Sequence, residues 1–124
     1  MSHKSRSRAA VKRQAYVRET HASVFAALGD ETRLLLVARL CDGNRVSISQ
    51  LTEGTKLTRQ AITKHLRVLE SVGIVHGVRS GRESLFEFSP QPVEEIKRYL
   101  DFVSLQWDRA LSRLKSFVET ENPA

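Results

Sequence analysis

The chain has 124 residues and a mass of 14.0 kDa, which is the size of one domain. Its longest apolar runs, such as Leu34–Ala38, stop at five residues, so the sequence predicts no membrane-spanning helix, which needs roughly 20 apolar residues. No apolar stretch follows the basic N-terminus, so we expect no secretory signal. The single Cys41 cannot form a disulfide within the chain, and we expect a cytoplasmic protein.

The formal net charge is +6, and the excess positive charge lies in two short blocks. Residues 1–18 hold six basic residues and no acidic one, and residues 56–82 hold six basic residues against Glu70 alone. Positive charge concentrated in this way favours a polyanionic partner that binds at a defined face.

The N-terminal half is predicted to be helical. We expect a polar, basic and disordered arm over residues 1–11, a folded domain over residues 12–120 and a short tail over residues 121–124. A first helix is predicted from Lys12 to Leu28, and Asp30 is placed to cap a second one. We expect the second helix to be mostly buried, with Leu34, Val37, Ala38 and Cys41 as its main inward stripe and Leu35, Leu36 and Leu40 widening it.

A pair of short helices follows. Ser47 and Gln50 have the spacing of a capping box, which predicts a short helix that stops at Gly54. Thr58 can cap a further helix that runs to about Val72. Two short helices joined by a glycine-containing turn are typical of the helix-turn-helix motif.

Two runs of strand character come next, Ile74–Arg79 and Ser84–Ser89, and residues 80–83 between them have the composition of a hairpin tip. Pro90 and Pro92 are expected to break the chain before a final helix over residues 93–119. The order of elements predicts a mainly α fold with a small β-hairpin wing, the winged helix-turn-helix.

The helix that follows Thr58 has one apolar side and one cationic side. Arginine pairs with guanine edges or phosphates, glutamine pairs with adenine, and lysine suits phosphates. We therefore predict that this helix enters the major groove of double-stranded DNA and that the hairpin tip lies on the backbone or in the minor groove. The candidate DNA-binding residues are Lys56, Thr58, Arg59, Gln60, Thr63, Lys64, Arg67, Arg79 and Arg82. The basic arm is explained equally well as a DNA-binding arm or as a solubilising tail.

The final helix predicts self-association, because its apolar side is longer than one small domain can cover. We therefore expect part of this apolar side to meet another copy of the chain. The candidate interface residues on this helix are Leu100, Val103, Trp107, Leu111 and Leu114.

Several segments resemble the ArsR/SmtB family of transcriptional regulators. The residues Ala27-Leu-Gly-Asp-Glu-Thr-Arg33, followed by Leu34–Leu40, are similar to the opening signature of that family. The core Thr63-Lys-His-Leu66 resembles its helix-turn-helix, and Arg79-Ser-Gly-Arg82 resembles its wing. The resemblance covers about residues 20–120 and implies a homodimeric repressor that contacts DNA through Arg59, Gln60, Thr63 and Lys64, with Arg79 or Arg82 on the wing. It also implies that the first and last helices lie at the dimer interface, which adds Val17, His21 and Val24 of the first helix to the candidate interface residues.

The same resemblance points to a subgroup without a metal. Metal-sensing members carry a Cys-x-Cys pair where this chain has Ser47-Ile-Ser49, and hydroxyls are poor ligands for soft metals. Other members place Asp and His ligands on the last helix, which here contains no His. We expect no metal, no cofactor and no enzymatic activity, since neither a nucleophile elbow nor a phosphate-binding glycine loop is present.

Two alternative functions stay open on the sequence. One is a winged-helix module that binds an acidic protein and has no DNA function. The other is a DNA-binding regulator controlled by a small apolar ligand at the dimer interface; whether an effector exists is unknown.

Overall fold

The structure, a computed structural model, describes residues 7–121, so the predictions for residues 1–6 and 122–124 lie outside it. The elements, in chain order, are α1 (Arg8–Leu28), α2 (Glu31–Leu40), β1 (Val46–Ser47), α3 (Ile48–Thr52), α4 (Arg59–Ser71), β2 (Val75–Ser80), β3 (Glu83–Phe88) and α5 (Gln91–Glu121). They form a mostly helical winged helix-turn-helix, as predicted. The chain divides into two compact units, residues 1–93 and residues 94–124.

The helix ends follow the side chains that cap them. Asp30 accepts a hydrogen bond from the Arg33 backbone at the start of α2, and Ser47 forms the predicted capping box with Gln50 at the start of α3. Thr58 accepts from the backbone N–H of Ala61 and opens α4. Each cap satisfies a backbone donor that lacks a partner within its own helix, so these local signals determine where the helices begin.

The core of the first unit is built around α4. This helix buries Ile62, Leu66 and Leu69 completely, at the spacing of one helical face. It packs against α2 and α3. The other fully buried large side chains are Leu36, Leu40, Leu51, Ile74 and Val75.

The predicted main stripe of α2 is wrong in part. Leu34, Ala38 and Cys41 are exposed, and Val37 is half-buried. Of the residues expected to widen the stripe, Leu36 and Leu40 are fully buried and Leu35 is exposed. Since α2 carries apolar residues on every side, periodicity alone did not define which face meets α4.

Two helix starts differ from the prediction. Helix α1 begins at Arg8 and not at Lys12, so residues 8–11 are helical and do not belong to a disordered arm. Ser7 caps it by accepting from the backbone N–H of Ala10. Helix α5 begins at Gln91, which puts Pro92 inside its first turn, where a missing N–H costs no helical hydrogen bond.

The wing is a three-stranded antiparallel sheet with the order β1-β3-β2. The hairpin of β2 and β3 was predicted, but β1 was not. In the hairpin, Ser80 pairs with Glu83 across a two-residue tip, and Gly81 at the first tip position has a φ of 61°. A positive φ there is typical of a type II′ turn, which matches the twist of the two strands.

The second unit consists of α5 from Glu94 onwards. Large apolar side chains remain exposed along it, among them Leu100, Trp107, Leu111 and Leu114. Within residues 7–121, no helix combines the length and the apolarity that crossing a membrane requires.

Candidate nucleic-acid interface

Helix α4 presents a polar stripe on the side opposite its buried leucines. Gln60, Lys64 and Arg67 follow each other at i, i+4 and i+7, and all three are exposed. Lys56, in the turn before the helix, is exposed as well. A flexible lysine, a planar guanidinium and an amide along one stripe can donate to phosphates and to base edges in a major groove.

Two of the predicted contact residues already use their hydroxyls within the chain. Thr58 accepts from Ala61 as the α4 cap, and Thr63 donates its hydroxyl proton to the backbone oxygen of Arg59 at 2.8 Å. Thr63 is half-buried and faces the wing. Thr58 therefore keeps its hydroxyl proton as a donor to DNA, whereas a DNA contact through Thr63 depends on its acceptor lone pairs or its methyl group.

Arg59 lies on the side of α4 that faces the wing. Its Nη1 donates to Ser49 Oγ at 3.2 Å, which ties the first residue of α4 back to α3. Arg59 lines a cleft of about 290 Å³ together with Arg82 at the wing tip. The remaining residues that line this cleft are Ser47, Ile48, Ser49, Glu83 and Ser84. The fold thus brings together two arginines that are far apart in the sequence.

A second cleft of about 320 Å³ lies beside the first, between α4 and the wing. It is lined by Arg67 and Arg79, both predicted contacts, and by Glu70, which the sequence reasoning did not single out as a contact. Glu70 Oε2 accepts from the backbone N–H of Gly77 at 3.3 Å, so the carboxylate links α4 to β2. The sequence indicated that Glu70 lies on this helix, four residues after Leu66, but it did not indicate that Glu70 meets β2.

An ionic cluster joins side chains of β2, β3 and the residue before β1. Glu87 on β3 accepts from Arg45 Nε at 3.0 Å and pairs with Nε2 of His76 on β2. Arg45 precedes β1, so the cluster spans the sheet. The hydrogen bonds from Arg45 and His76 hold the pKa of Glu87 below its usual value.

Half-buried arginine side chains connect the helices on the side of α4 away from its exposed polar stripe. Arg33 donates from Nε to the oxygen of Ala27 at the end of α1, and its Nη1 lies 3.2 Å from His65 Nδ1 on α4. His65 is thereby directed towards the protein interior. The backbone N–H of Arg33 is the main cause of the lowered pKa of Asp30, with the charges of Arg33 and His65 acting in the same direction.

Arg39 on α2 connects that helix to α3 by hydrogen bonds. Its Nη1 donates to the backbone oxygens of Leu51 and Glu53 at 2.9 Å and 3.0 Å. These oxygens lie at the C-terminal end of α3, where helical carbonyls lack partners within the helix. Arg39 therefore fixes α3, and the sequence reasoning had assigned it no role.

In the stretch from residue 7 to residue 121, no group of three or more His, Cys, Asp or Glu side chains could hold a metal ion. Ser47 and Ser49 are engaged with Gln50 and Arg59 respectively.

The predicted dimer residues differ in the fraction of their surface that is exposed. Val17 on α1 is 47% exposed, and Trp107 and Leu111 on α5 are 64% and 55% exposed. Leu100 and Leu114 are exposed too, whereas His21 and Val103 are half-buried. Val24 is only 2% exposed within the single chain, so it has almost no surface left to bury against a copy and does not fit the predicted interface.

Comparison with known proteins agrees with this geometry. A family model for "Bacterial regulatory protein, arsR family" matches residues 30–76. The uncharacterized HTH-type transcriptional regulator YuzN of Bacillus subtilis is 36% identical over 80 residues, which cover 60% of this chain and 87% of YuzN.

Solved structures show the same fold. An ArsR-like transcriptional regulator from Rhodococcus sp. RHA1 superposes with a TM-score of 0.69 and 37% identity, covering 81% of this chain and 93% of that one. The homodimeric winged helix-turn-helix DNA-binding domain of Mb0332 from Mycobacterium bovis superposes with a TM-score of 0.61 at 21% identity, covering 89% and 94%. The chain therefore belongs to the ArsR family and is a transcriptional regulator with a winged helix-turn-helix DNA-binding domain.

Proposed function

We propose that the protein is a homodimeric, sequence-specific repressor that inserts α4 into the major groove and lays the wing on the neighbouring backbone or minor groove. The observation that carries the proposal is the exposed stripe of Gln60, Lys64 and Arg67, which adjoins clefts lined by Arg59, Arg79 and Arg82. Buried residues behind this side fix it in place, while the cationic groups face solvent. That combination suits a partner that is negatively charged and rigid.

The chemistry of each side chain along the stripe indicates which part of the DNA it would contact. Gln60 lies in the first turn of α4, where recognition helices read base edges, and its amide can pair bidentately with adenine. Lys56, Lys64 and Arg67 are assigned to phosphates or guanine edges, and Arg79 and Arg82 to the backbone beside the wing. Thr58 and Thr63 supply secondary contacts, since their hydroxyls serve the helix first.

The homodimer is supported by the exposed apolar residues of α1 and α5. In water, exposed side chains as large as Trp107 and Leu111 gain roughly 25 cal/mol for each Å² of apolar surface that a partner covers. Mb0332, which has the same fold, is described as homodimeric. A two-fold dimer would place two α4 helices on successive major grooves, so half-sites should be centred about 10–10.5 bp apart or a multiple of that spacing.

Selection of bound fragments from the host genome tests sequence specificity. The proposal expects enriched fragments that share a palindromic element with the spacing given above, and transcription from a promoter containing it should fall when the protein is added. Enrichment without a shared element would contradict sequence specificity. Failure to bind any duplex at low salt would favour the protein-interaction module instead. Sedimentation should give twice 14.0 kDa at micromolar concentration, and a monomer would contradict the dimer.

Three further predictions accompany this function. The protein should act in the cytoplasm, where it would meet the DNA that it regulates. The basic residues of the N-terminal segment should add a sequence-independent contribution to DNA affinity if they form an arm. A small apolar effector at the dimer interface, if present, should raise the midpoint of thermal unfolding, because a ligand that binds only the native state stabilises it.

A further inference from the structure

We propose that Arg59 and Arg82 form a clamp for a single phosphodiester group of the DNA backbone, and that Arg59 does not read a base. This inference rests on the proposed DNA-binding function and assigns a ligand to the cleft between the start of α4 and the wing tip.

The two arginines come from different elements and line the same cleft of about 290 Å³. Arg59 is the first residue of α4, and Arg82 is the second residue of the two-residue hairpin tip. Because Ser80 pairs with Glu83, the tip is short and cannot carry Arg82 far from this position. Both arginines therefore line one small volume without any rearrangement of the backbone.

A hydrogen bond orients Arg59 towards this cleft. Its Nη1 donates to Ser49 Oγ at 3.2 Å, so the side chain is turned back to α3 rather than extended from the end of α4. A residue that reads a base edge has to extend into the groove. Gln60, the next residue, is exposed and is free of that constraint, and it is left as the base-reading side chain of the first turn.

The donors in the cleft match a phosphodiester. A guanidinium has five N–H donors in a planar fork, so the bond to Ser49 leaves Arg59 several donors for phosphate oxygens. Ser49 and Ser84 line the same cleft with further hydroxyl groups. The formal charge of the cleft also matches a phosphodiester. The two arginines and Glu83 give a net charge of +1, which one phosphodiester with its single negative charge neutralises.

Salt dependence of DNA binding tests the clamp, because the slope of log K against log salt counts the phosphates that are neutralised. Each phosphate contributes about 0.9 to that slope on double-stranded DNA. We would measure binding of a fixed duplex by fluorescence anisotropy over a series of KCl concentrations for Arg59→Gln, Arg82→Gln and the double variant. Arg98→Gln, on the exposed surface of α5, is the matched control.

The clamp predicts that each single substitution weakens binding and that the double variant has a slope shallower by about 0.9 in total. The fold-loss of the double variant should also differ from the product of the two single losses, since both side chains share one partner. Relative affinities for duplexes that differ by one base pair should stay unchanged in Arg59→Gln. Unchanged thermal midpoints would establish that the variants fold.

Three results would overturn the clamp while leaving DNA binding intact. A double variant whose slope is shallower by about 1.8 would assign the arginines to separate phosphates. An unchanged slope would show that neither arginine neutralises a backbone phosphate. An altered sequence preference in Arg59→Gln would show that Arg59 contacts a base. If the unsubstituted protein binds no duplex, the proposed function itself fails and the clamp fails with it.

Discussion

Arg33 Nη1 lies 3.2 Å from Nδ1 of His65, which connects the first turn of α2 to the middle of α4. The same guanidinium donates to the oxygen of Ala27 at the end of α1. One side chain therefore joins three helices of the first unit. Its charge also compensates the partial negative charge at the C-terminal end of α1.

Substitution of Arg33 by alanine should lower the free energy of unfolding by about 2 kcal/mol, because it leaves part-buried acceptors without their charged donor. Chemical denaturation of Arg33→Ala measures this loss. Arg98→Ala removes an exposed arginine from α5 and should change the free energy of unfolding little. Equal stability of the two variants would show that the three-helix junction does not depend on Arg33.

The ionic cluster on the wing should make stability depend on pH in the acid range. The pKa of Glu87 is lowered in the folded state by Arg45 and His76, so its contribution is present above the ordinary value of 4.5 and is lost as the pH falls through the lower folded-state value. Glu87→Gln should therefore destabilise the protein at neutral pH and lose that effect in acid.

Urea denaturation of the Glu87→Gln variant at several pH values measures this dependence. Glu19→Gln, at an exposed site on α1, is the control and should follow the unsubstituted protein throughout. A destabilisation by Glu87→Gln that is the same at neutral and at acid pH would contradict the assigned role of the cluster.

Gly81 and Gly43 form a matched pair for testing the wing tip. Both have a positive φ, 61° and 87°, and a methyl group at either site would meet no atom within 4 Å. Gly81→Ala and Gly43→Ala should each lower stability by about 1 kcal/mol through backbone strain alone. Only Gly81→Ala should also weaken DNA binding, since it alters the position of Arg82. Equal effects of both variants on DNA affinity would argue against wing contact.

Substitutions of Gln60 and of Lys64 should distinguish a contact to a base from a contact to the DNA backbone. Gln60→Ala should relax the preference at one base pair by about 1–3 kcal/mol and leave the salt dependence unchanged. Lys64→Ala should weaken binding to all duplexes alike and make the salt slope shallower by about 0.9. Anisotropy measurements on a panel of duplexes with single base-pair changes distinguish the two results. The assignment fails if both variants behave alike.

Leu111 on α5 tests the homodimer. Leu111→Glu would place a carboxylate in the apolar contact and should shift the protein towards a monomer in sedimentation equilibrium. Arg113→Glu alters charge at a neighbouring exposed position of the same helix, two residues away and thus on the other side, and should leave the dimer in place. A dimer that withstands Leu111→Glu would place the interface elsewhere.

Much of the helical architecture could be predicted from the sequence because its signals are local. The capping residues Asp30, Ser47 and Thr58 each act within three residues of themselves, and they mark the starts of α2, α3 and α4. The inward face of α4 was evident for the same reason, since polar residues separate Ile62 from Leu66 and Leu69.

The features that were missed depend on contacts distant in the chain. Strand β1 has only two residues, too few for a pattern, and it exists because Val46 pairs with Phe86. The approach of Arg59 to Arg82 and the contact of Arg33 with His65 likewise require the fold itself. Alternation of apolar and polar residues also carries no information about the orientation of α2, which is apolar on several sides.

Ser47 ends β1 and, through its side chain, also caps α3. Since β1 is hydrogen-bonded to β3, the sheet and the helix pair share one residue with no linker between them. Because α3 packs against α4, a movement of the wing relative to α4 would have to break the pairing of β1 with β3 or the contacts of α3. We therefore expect a constant separation between α4 and the hairpin tip. On every target, the distance along the duplex between the bases that α4 contacts and the site that the hairpin contacts should be the same.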